Sequence, residues 1–214
     1  MSQTVLQEFC DTAQSFFDRG YAYGSTGNLS IKIGDGIWFT PSGRPLRGLK
    51  PAHIACIDLS GKFLNPNRPS KEYGLHLAIY RRRPDVNAIV HLHSPHAVAL
   101  SCLEDLDNWS MPAMTPNFFM RVAPLGIVSY SRPGSAELSE AVDNAIQSHD
   151  SLLLRNHGLI AAGASWHEAV DRGSQLEETA RLYFLLRGER IRLLTGADIE
   201  DLGGEFPVSA PEPR

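Results

Sequence analysis

The chain has 214 residues, of which 43% are hydrophobic, and this is enough apolar material for the core of one domain. A formal net charge of −4 and a pI near 6.0 exclude the strongly basic surface that is typical of nucleic-acid-binding proteins. No apolar run approaches membrane-spanning length, and residues 1–5 lack the basic start of a secretion signal, so we expect a cytoplasmic protein without membrane partners. Three scattered cysteines, Cys10, Cys56 and Cys102, have apolar neighbours and are predicted to be reduced core thiols.

The first third of the chain is predicted to contain one helix followed by short strands. Apolar residues recur at helical spacing through residues 4–19. Residues 28–33, 37–40 and 53–58 are predicted to be strands, separated by turns rich in small residues. Such turns expose backbone N–H groups that can hold an anion, although most turns between strands have no such function.

A second helix is predicted over residues 71–81, with Ser70 as its N-cap. The free amides and the dipole at that end favour an anion next to Ser70 and Lys71. Glu72 is predicted to lie in the first turn, where acidic residues are common for electrostatic reasons alone. Glu72 therefore indicates a function only in combination with other residues.

Two predicted strands end in histidines. His91 and His93 close the apolar run of residues 87–92, and their i, i+2 spacing places both rings on one face of a strand. A second apolar run, residues 151–155, is followed by His157. Zinc takes neutral imidazoles, and catalytic zinc sites commonly use three protein ligands. An isolated H-x-H is a weak signal, but two strands that end in this way predict one metal site.

The second half of the chain is predicted to alternate helices and strands. Helices are expected over residues 95–103 and 135–147, a strand over 158–163, and a long helix that opens with a capping box at Ser165 and Glu168. Between them, residues 109–124 are predicted to be a proline-broken loop with exposed aromatic side chains, Phe118 and Phe119. Residues 1–203 are predicted to form one domain, and residues 204–214 a flexible or interface-packed tail.

Five short segments together resemble the class II aldolase/adducin family. In chain order they are residues 27–30, 40–43, 70–72, 91–96 and 156–158. The resemblance implies a single-domain α/β/α sandwich with a central, mostly antiparallel sheet, one Zn²⁺ per subunit and a homotetramer. It also implies a small phosphorylated substrate.

The resemblance further implies a role for each matching residue. The expected metal ligands are His91, His93 and His157. Glu72 is expected to be the catalytic acid/base and to ligate the metal as well when substrate is absent. The expected phosphate-binding residues are Gly27, Asn28, Ser42, Gly43, Ser70 and Lys71.

Flanking residues resemble the 3-oxo-tetronate 4-phosphate decarboxylase branch of that family more than its aldolases. The matching segments are residues 75–80, 115–116, 120–122, 132–134 and 176–180. This branch implies loss of CO2 to give dihydroxyacetone phosphate through a zinc-stabilised enediolate. An aldolase acting on a fuculose- or ribulose-phosphate type substrate passes through the same enediolate and is the alternative. A non-catalytic adducin-like scaffold is the remote alternative, and it predicts missing metal ligands.

One residue departs from the aldolase pattern. Family members often place a tyrosine in the loop that matches residues 115–119, where it is proposed to handle a proton on the aldehyde oxygen. Asn117 occupies the aligned position in this chain. Carbon dioxide needs no such proton, so this departure favours decarboxylation over aldol cleavage.

Overall fold

Seven strands form one sheet in the computed structural model, which describes residues 2–104, 106 and 111–202. The strands are β1 Asn28–Ile33, β2 Gly36–Phe39, β3 Ala55–Ile57, β4 Ala88–Leu92, β5 Leu125–Val128, β6 Ser151–Leu154 and β7 Gly158–Gly163. Their spatial order is β3-β2-β1-β4-β7-β6-β5, and only the β5–β6 pair is parallel. The predicted mostly antiparallel sheet is confirmed.

Helices cover both faces of this sheet. They are α1 Ser2–Asp18, α2 Tyr73–Arg82, α3 Pro95–Ser101, α4 Pro116–Arg121, α5 Ala136–Ala145, α6 Trp166–Leu185 and α7 Gly196–Asp201. Helices α2 and α5 bury their apolar side chains against one face, and α1, α3, α4 and α6 bury theirs against the other. The molecule therefore has the predicted α/β/α layers. Among the residues with assigned structure, no helix is long and apolar enough to cross a bilayer.

The central strand β4 is buried on both faces. Val90 packs into the core on the α6 side, whereas Ile89 packs into the core on the α2 side. Because successive side chains of a strand point to opposite faces, His91 lies on the same face as Ile89. The ring of His91 is fully buried on that face, beneath the helix that follows Glu72. The register of β4 therefore decides which side of the sheet carries the histidine.

The predicted start of the second helix is wrong by two residues. Residues 71–72 form a turn instead, in which the Tyr73 N–H donates to the Ser70 carbonyl at 3.1 Å, so Ser70 is not the N-cap. Glu72 occupies the N-cap position, and α2 begins at Tyr73. Glu72 therefore precedes the first turn instead of lying within it.

Two further predictions are wrong for packing reasons. Phe118 and Phe119 belong to α4, which packs against α6, and they are 4% and 7% exposed instead of projecting from a loop. Cys102 is exposed, unlike the buried Cys10 and Cys56, because it follows the last turn of α3.

Strand β5 and helix α7 were not predicted. Residues 109–110 of the predicted loop, and the predicted tail of residues 204–214, lie outside the described residues, so the domain division stays a prediction.

A buried carboxylate attaches α6 to the start of α3. Glu177 is 2% exposed and accepts hydrogen bonds from the backbone N–H groups of His96, at 3.1 Å, and Ala97, at 2.8 Å. Its Oε1 also accepts a hydrogen bond from His96 Nδ1 at 2.8 Å. These are donors that a helix start leaves without intrahelical partners. Glu177 thus fixes the turn that connects His93 to α3.

Replacing Glu177 with alanine should destabilise the protein by about 2–4 kcal/mol, because several buried donors lose their acceptor at once. The free energy of unfolding, measured in urea, checks this value. The neighbouring Glu178 is the matched control, since its side chain is 41% exposed and forms a surface ion pair with Arg181. Glu178→Ala should stay within about 1 kcal/mol of the wild type. Equal losses for the two variants would contradict the assigned role of Glu177.

Candidate metal centre

Three histidines and one glutamate meet at one end of the sheet. His91 lies near the end of β4, His93 follows that strand, and His157 lies in the turn between β6 and β7. Strands β4 and β7 are hydrogen-bonded neighbours, with Leu92 opposite Leu159, so the two histidine-bearing segments end side by side. Glu72 reaches the same point from the start of α2.

The distances place all four side chains around one point. Their candidate ligand atoms lie within 4.8 Å of one another. Glu72 Oε2 is 3.3 Å from His91 Nε2, and Glu72 Oε1 is 3.4 Å from His157 Nε2. The Nε2 atoms of His91 and His93 are 3.1 Å apart. The histidines and the glutamate predicted from sequence are therefore brought together by the fold.

A backbone carbonyl sets the hydrogen position on His91. The Nδ1–H of this ring donates to the carbonyl oxygen of Leu159 at 2.8 Å, because a carbonyl can only accept. In the neutral ring, Nε2 then carries a lone pair and faces the Glu72 carboxylate. A ring N–H held by a backbone carbonyl is the arrangement found for most metal-bound histidines.

The electrostatics of the cluster favour a positive charge at its centre. Burial disfavours the ionised form of Glu72, but His91 and His157 outweigh burial and hold the pKa of this carboxyl well below its usual range. Burial alone would lower the pKa of His91, yet Glu72 raises it above the ordinary value. Burial, followed by the charges of His91 and His157, lowers the pKa of His93 to about 3. His93 is therefore neutral at pH 7 and available as a ligand.

Unpartnered atoms test whether a divalent cation fits this site. Glu72 Oε1 and both ring nitrogens of His157 are buried without hydrogen-bond partners among the described residues. Buried polar atoms are normally paired, so such a group of electron-pair donors indicates a missing positive charge. Three imidazoles and one carboxylate match the ligand types of zinc, while manganese, cobalt, nickel and iron accept similar sets. The residues present therefore fit a divalent metal.

Gly158 permits the close approach of the two histidine segments. A Cβ atom on this residue would lie 2.3 Å from the carbonyl oxygen of Leu92, the residue directly before His93. The preceding turn places Asn156 at a φ of 54°, a left-handed conformation that asparagine tolerates better than most residues. The spacing of His157 from β4 thus depends on a residue without a side chain at position 158.

The turns that contain the predicted phosphate-binding residues converge on this end of the molecule. Ser42 N–H donates to the carbonyl of Arg68 at 2.9 Å, which holds the turn of Ser42 and Gly43 beside the segment leading to Ser70. The backbone N–H of Leu29 donates to Thr40 Oγ1 at 3.1 Å and connects the segment of Gly27 and Asn28 to the same turn. All three turns therefore surround the start of α2.

Three contacts were not foreseen from the sequence. Asn28, predicted only to bind phosphate, donates from Nδ2 to Glu72 Oε2 at 2.9 Å. Further along α2, His76 Nδ1 contacts Ser30 Oγ at 2.7 Å, and the Tyr80 hydroxyl contacts the same oxygen at 2.8 Å. The i, i+4, i+8 spacing of Glu72, His76 and Tyr80 was the feature of the sequence that could have indicated these contacts.

Asn117, the residue aligned with the aldolase tyrosine, is exposed on α4.

Comparisons with known proteins agree with this geometry. The family model described as "Class II Aldolase and Adducin N-terminal domain" matches residues 7–184. The chain is 41% identical to a 3-oxo-tetronate 4-phosphate decarboxylase from Haemophilus influenzae, over 88% of this chain and 91% of that one. It is 36% identical to an L-fuculose phosphate aldolase from Methanococcus maripaludis, over 85% of this chain and 97% of the relative.

A solved structure extends the likeness to three dimensions. YgbL from Klebsiella pneumoniae, described as an aldolase/epimerase/decarboxylase, superposes with a TM-score of 0.89 at 38% identity. The match covers 94% of this chain and 98% of that one. The chain therefore belongs to the class II aldolase and adducin N-terminal domain family.

Proposed function

We propose that this protein is a metal-dependent decarboxylase that converts a 3-oxo-tetronate 4-phosphate to dihydroxyacetone phosphate and CO2. The observation that carries the proposal is the complete group of Glu72, His91, His93 and His157 in a chain that is 41% identical to a decarboxylase of this substrate. An adducin-like scaffold has no need for such a group. Three imidazoles and a carboxylate match the ligands of zinc, which supports zinc as the metal. The cytoplasmic location and the homotetramer expected from the sequence stay predictions.

The substrate's two ends match two parts of the site. Its phosphate would be held beside the turns at Gly27, Ser42 and Ser70, where the two serine hydroxyls can donate hydrogen bonds and the Lys71 ammonium attracts an anion. The three histidines would hold the divalent metal. When bound, the metal supplies a Lewis acid that stabilises negative charge developing on substrate oxygens.

Glu72 would be the acid/base that transfers the proton. Loss of CO2 leaves an electron pair on carbon 2 of the substrate, and this carbon must take up a proton to give the product. Burial of Glu72 favours its protonated form whenever the carboxylate is separated from His91 and His157. The same side chain can therefore accept a proton and later deliver it. Asn28 would orient this carboxylate through the 2.9 Å hydrogen bond to Oε2.

Aldol cleavage of a ketose phosphate is the second candidate, supported by the aldolase relative at 36% identity. Both reactions leave an enediolate, so the histidines and Glu72 serve either one. Aldol cleavage must also remove the proton from the substrate hydroxyl that becomes the aldehyde oxygen. Asn117, in place of the expected tyrosine, has no ionisable group for this task, which favours decarboxylation.

Removing one imidazole should remove the metal. His157→Ala leaves only two ring donors, so we expect the purified variant to contain far less zinc than the wild type. We expect turnover to fall by at least about 100-fold. Metal analysis and a CO2-release assay measure the two quantities. His167→Ala, at an exposed position of α6, is the control and should keep both. Full metal content in His157→Ala would refute the ligand assignment.

Glu72→Gln keeps the shape of the side chain but removes its acid/base function. We expect kcat for CO2 release to fall by about 10²–10⁴, the usual contribution of a positioned proton donor. Zinc content should stay close to that of the wild type, because the three histidines are unchanged. Glu140→Gln, an exposed change on α5, should have no effect. A Glu72→Gln variant with wild-type kcat would exclude Glu72 as the acid/base.

The values of kcat/KM for two different substrates distinguish decarboxylation from aldol cleavage. The zinc-loaded protein should release CO2 from a 3-oxo-tetronate 4-phosphate with kcat/KM at least about 100-fold above its value for cleavage of L-fuculose 1-phosphate. Coupled detection of dihydroxyacetone phosphate follows both reactions with one assay. Cleavage of the ketose phosphate without any CO2 release would establish the aldolase instead.

A further inference from the structure

A line of buried polar side chains extends from the metal centre along α2. Glu72, His76 and Tyr80 are spaced by four residues and therefore share one face of the helix. They face Asn28 and Ser30, which are alternate residues of β1 and share one face of the sheet. Both β1 residues, His76 and Tyr80 are at most 2% exposed. The helix and the strand thus meet along a polar seam of five side chains.

One assignment of donors and acceptors satisfies both hydroxyl groups of this seam. Burial raises the pKa of Tyr80, so its hydroxyl keeps its proton, and Ser30 Oγ is its one hydrogen-bond partner among the described residues. Tyr80 therefore donates to Ser30, and Ser30 donates to His76 Nδ1. Every other arrangement leaves at least one buried hydroxyl hydrogen without an acceptor, which costs free energy.

This direction fixes the hydrogen on His76. Burial, followed by the charge of His91, lowers the pKa of His76 to about 3, so the ring is neutral at pH 7. A neutral ring that accepts at Nδ1 carries its hydrogen on Nε2. That Nε2–H is buried and has no hydrogen-bond partner among the described residues. The seam therefore ends in one unused donor.

An unused acceptor belongs to the same seam. Asn28 donates from Nδ2 to Glu72 Oε2, while its Oδ1 is buried without a partner in the described part of the chain. Asn28 lies two residues from Ser30, a separation of roughly 7 Å along the strand, and Glu72 lies one turn from His76. The unused donor and the unused acceptor thus belong to neighbouring positions of the seam, and a water between two such groups would satisfy both.

We infer that Tyr80, Ser30, His76 and Asn28 form a one-way chain of hydrogen-bond donors that ends on Glu72, with a water molecule between His76 and Asn28. A donor on Asn28 Oδ1 holds the amide with Nδ2 towards Glu72. The flipped amide would present an oxygen to the carboxylate and repel it. His76 is therefore a positioning residue, which acts on Glu72 through Asn28 and touches no substrate.

The expected change in kcat rests on the proposed function, whereas the donor chain itself does not. Two substitutions of His76 form a matched pair, since a glutamine amide reaches the position of Nε2–H and an asparagine amide reaches only that of Nδ1. We expect His76→Asn to lower kcat for CO2 release about 10-fold, the effect of losing one hydrogen bond to a positioned group, with KM and zinc content within about twofold of the wild type. His76→Gln should keep kcat within about threefold of the wild type. Ile79→Val, on the apolar face of α2, controls for destabilisation of the helix.

The hydrogen on His76 is measured independently of activity. Nitrogen-15 NMR of histidine-labelled, zinc-loaded protein should show a neutral His76 with its hydrogen on Nε2. Ser30→Ala removes the donor to Nδ1 and should move the signal of this nitrogen towards that of a ring nitrogen that accepts no hydrogen bond, while the hydrogen stays on Nε2. Hydrogen on Nδ1 in the wild type, or equal kcat for the asparagine and glutamine variants, would overturn the inference. If the wild type releases no CO2, the proposed function fails, and the NMR result still decides whether the donor chain exists.

Discussion

The fold must hold four side chains that carry electron-pair donor atoms close together inside the protein. Glu72, His91, His93 and His157 converge within 4.8 Å. His91 and His157 are buried and the other two are partly buried, so these groups lose much of the water that would otherwise solvate them. Such an arrangement is stable only with a positive charge at its centre, either a proton or a metal ion. Strand pairing between β4 and β7, and the absence of a side chain at Gly158, provide the rigid support that keeps these groups together.

The two faces of the sheet have different roles. The face covered by α1, α3, α4 and α6 is packed almost entirely with apolar side chains, whereas the face covered by α2 also carries the polar seam. Burying polar groups costs free energy unless they are paired, so the seam is arranged in consecutive hydrogen bonds. Glu72 occupies the open end of this seam, at the start of α2. Reactive groups are therefore held by the stable interior of the domain instead of by mobile loops.

The four side chains of the metal centre indicate a class of reaction but do not by themselves distinguish decarboxylation from aldol cleavage. Histidines and a carboxylate around a divalent metal stabilise charge on a substrate that loses a bond next to a carbonyl group, whether the departing group is CO2 or an aldehyde. The difference lies in whether a hydroxyl of the departing group must lose its proton as the bond breaks. Asn117 has no ionisable group to accept that proton, and the relative at 41% identity is a decarboxylase. Both observations favour the same reaction.

Sequence alone determined the local features of this protein, because strand alternation, helical spacing and the motif around His91 and His93 depend on neighbours in the chain. It also indicated His157 as a partner of His91 and His93, although only the family resemblance gave Glu72 its role in the same site. Packing and long-range contacts decided the rest: α4 buries Phe118 and Phe119 because α6 lies beneath it, and a turn that Tyr73 closes on Ser70 places Glu72 at the N-cap position of α2. The partners of His76 and Glu177 are 46 and 81 residues away, so no local pattern contained them. Contacts across such separations exist only once the sheet has brought distant segments together.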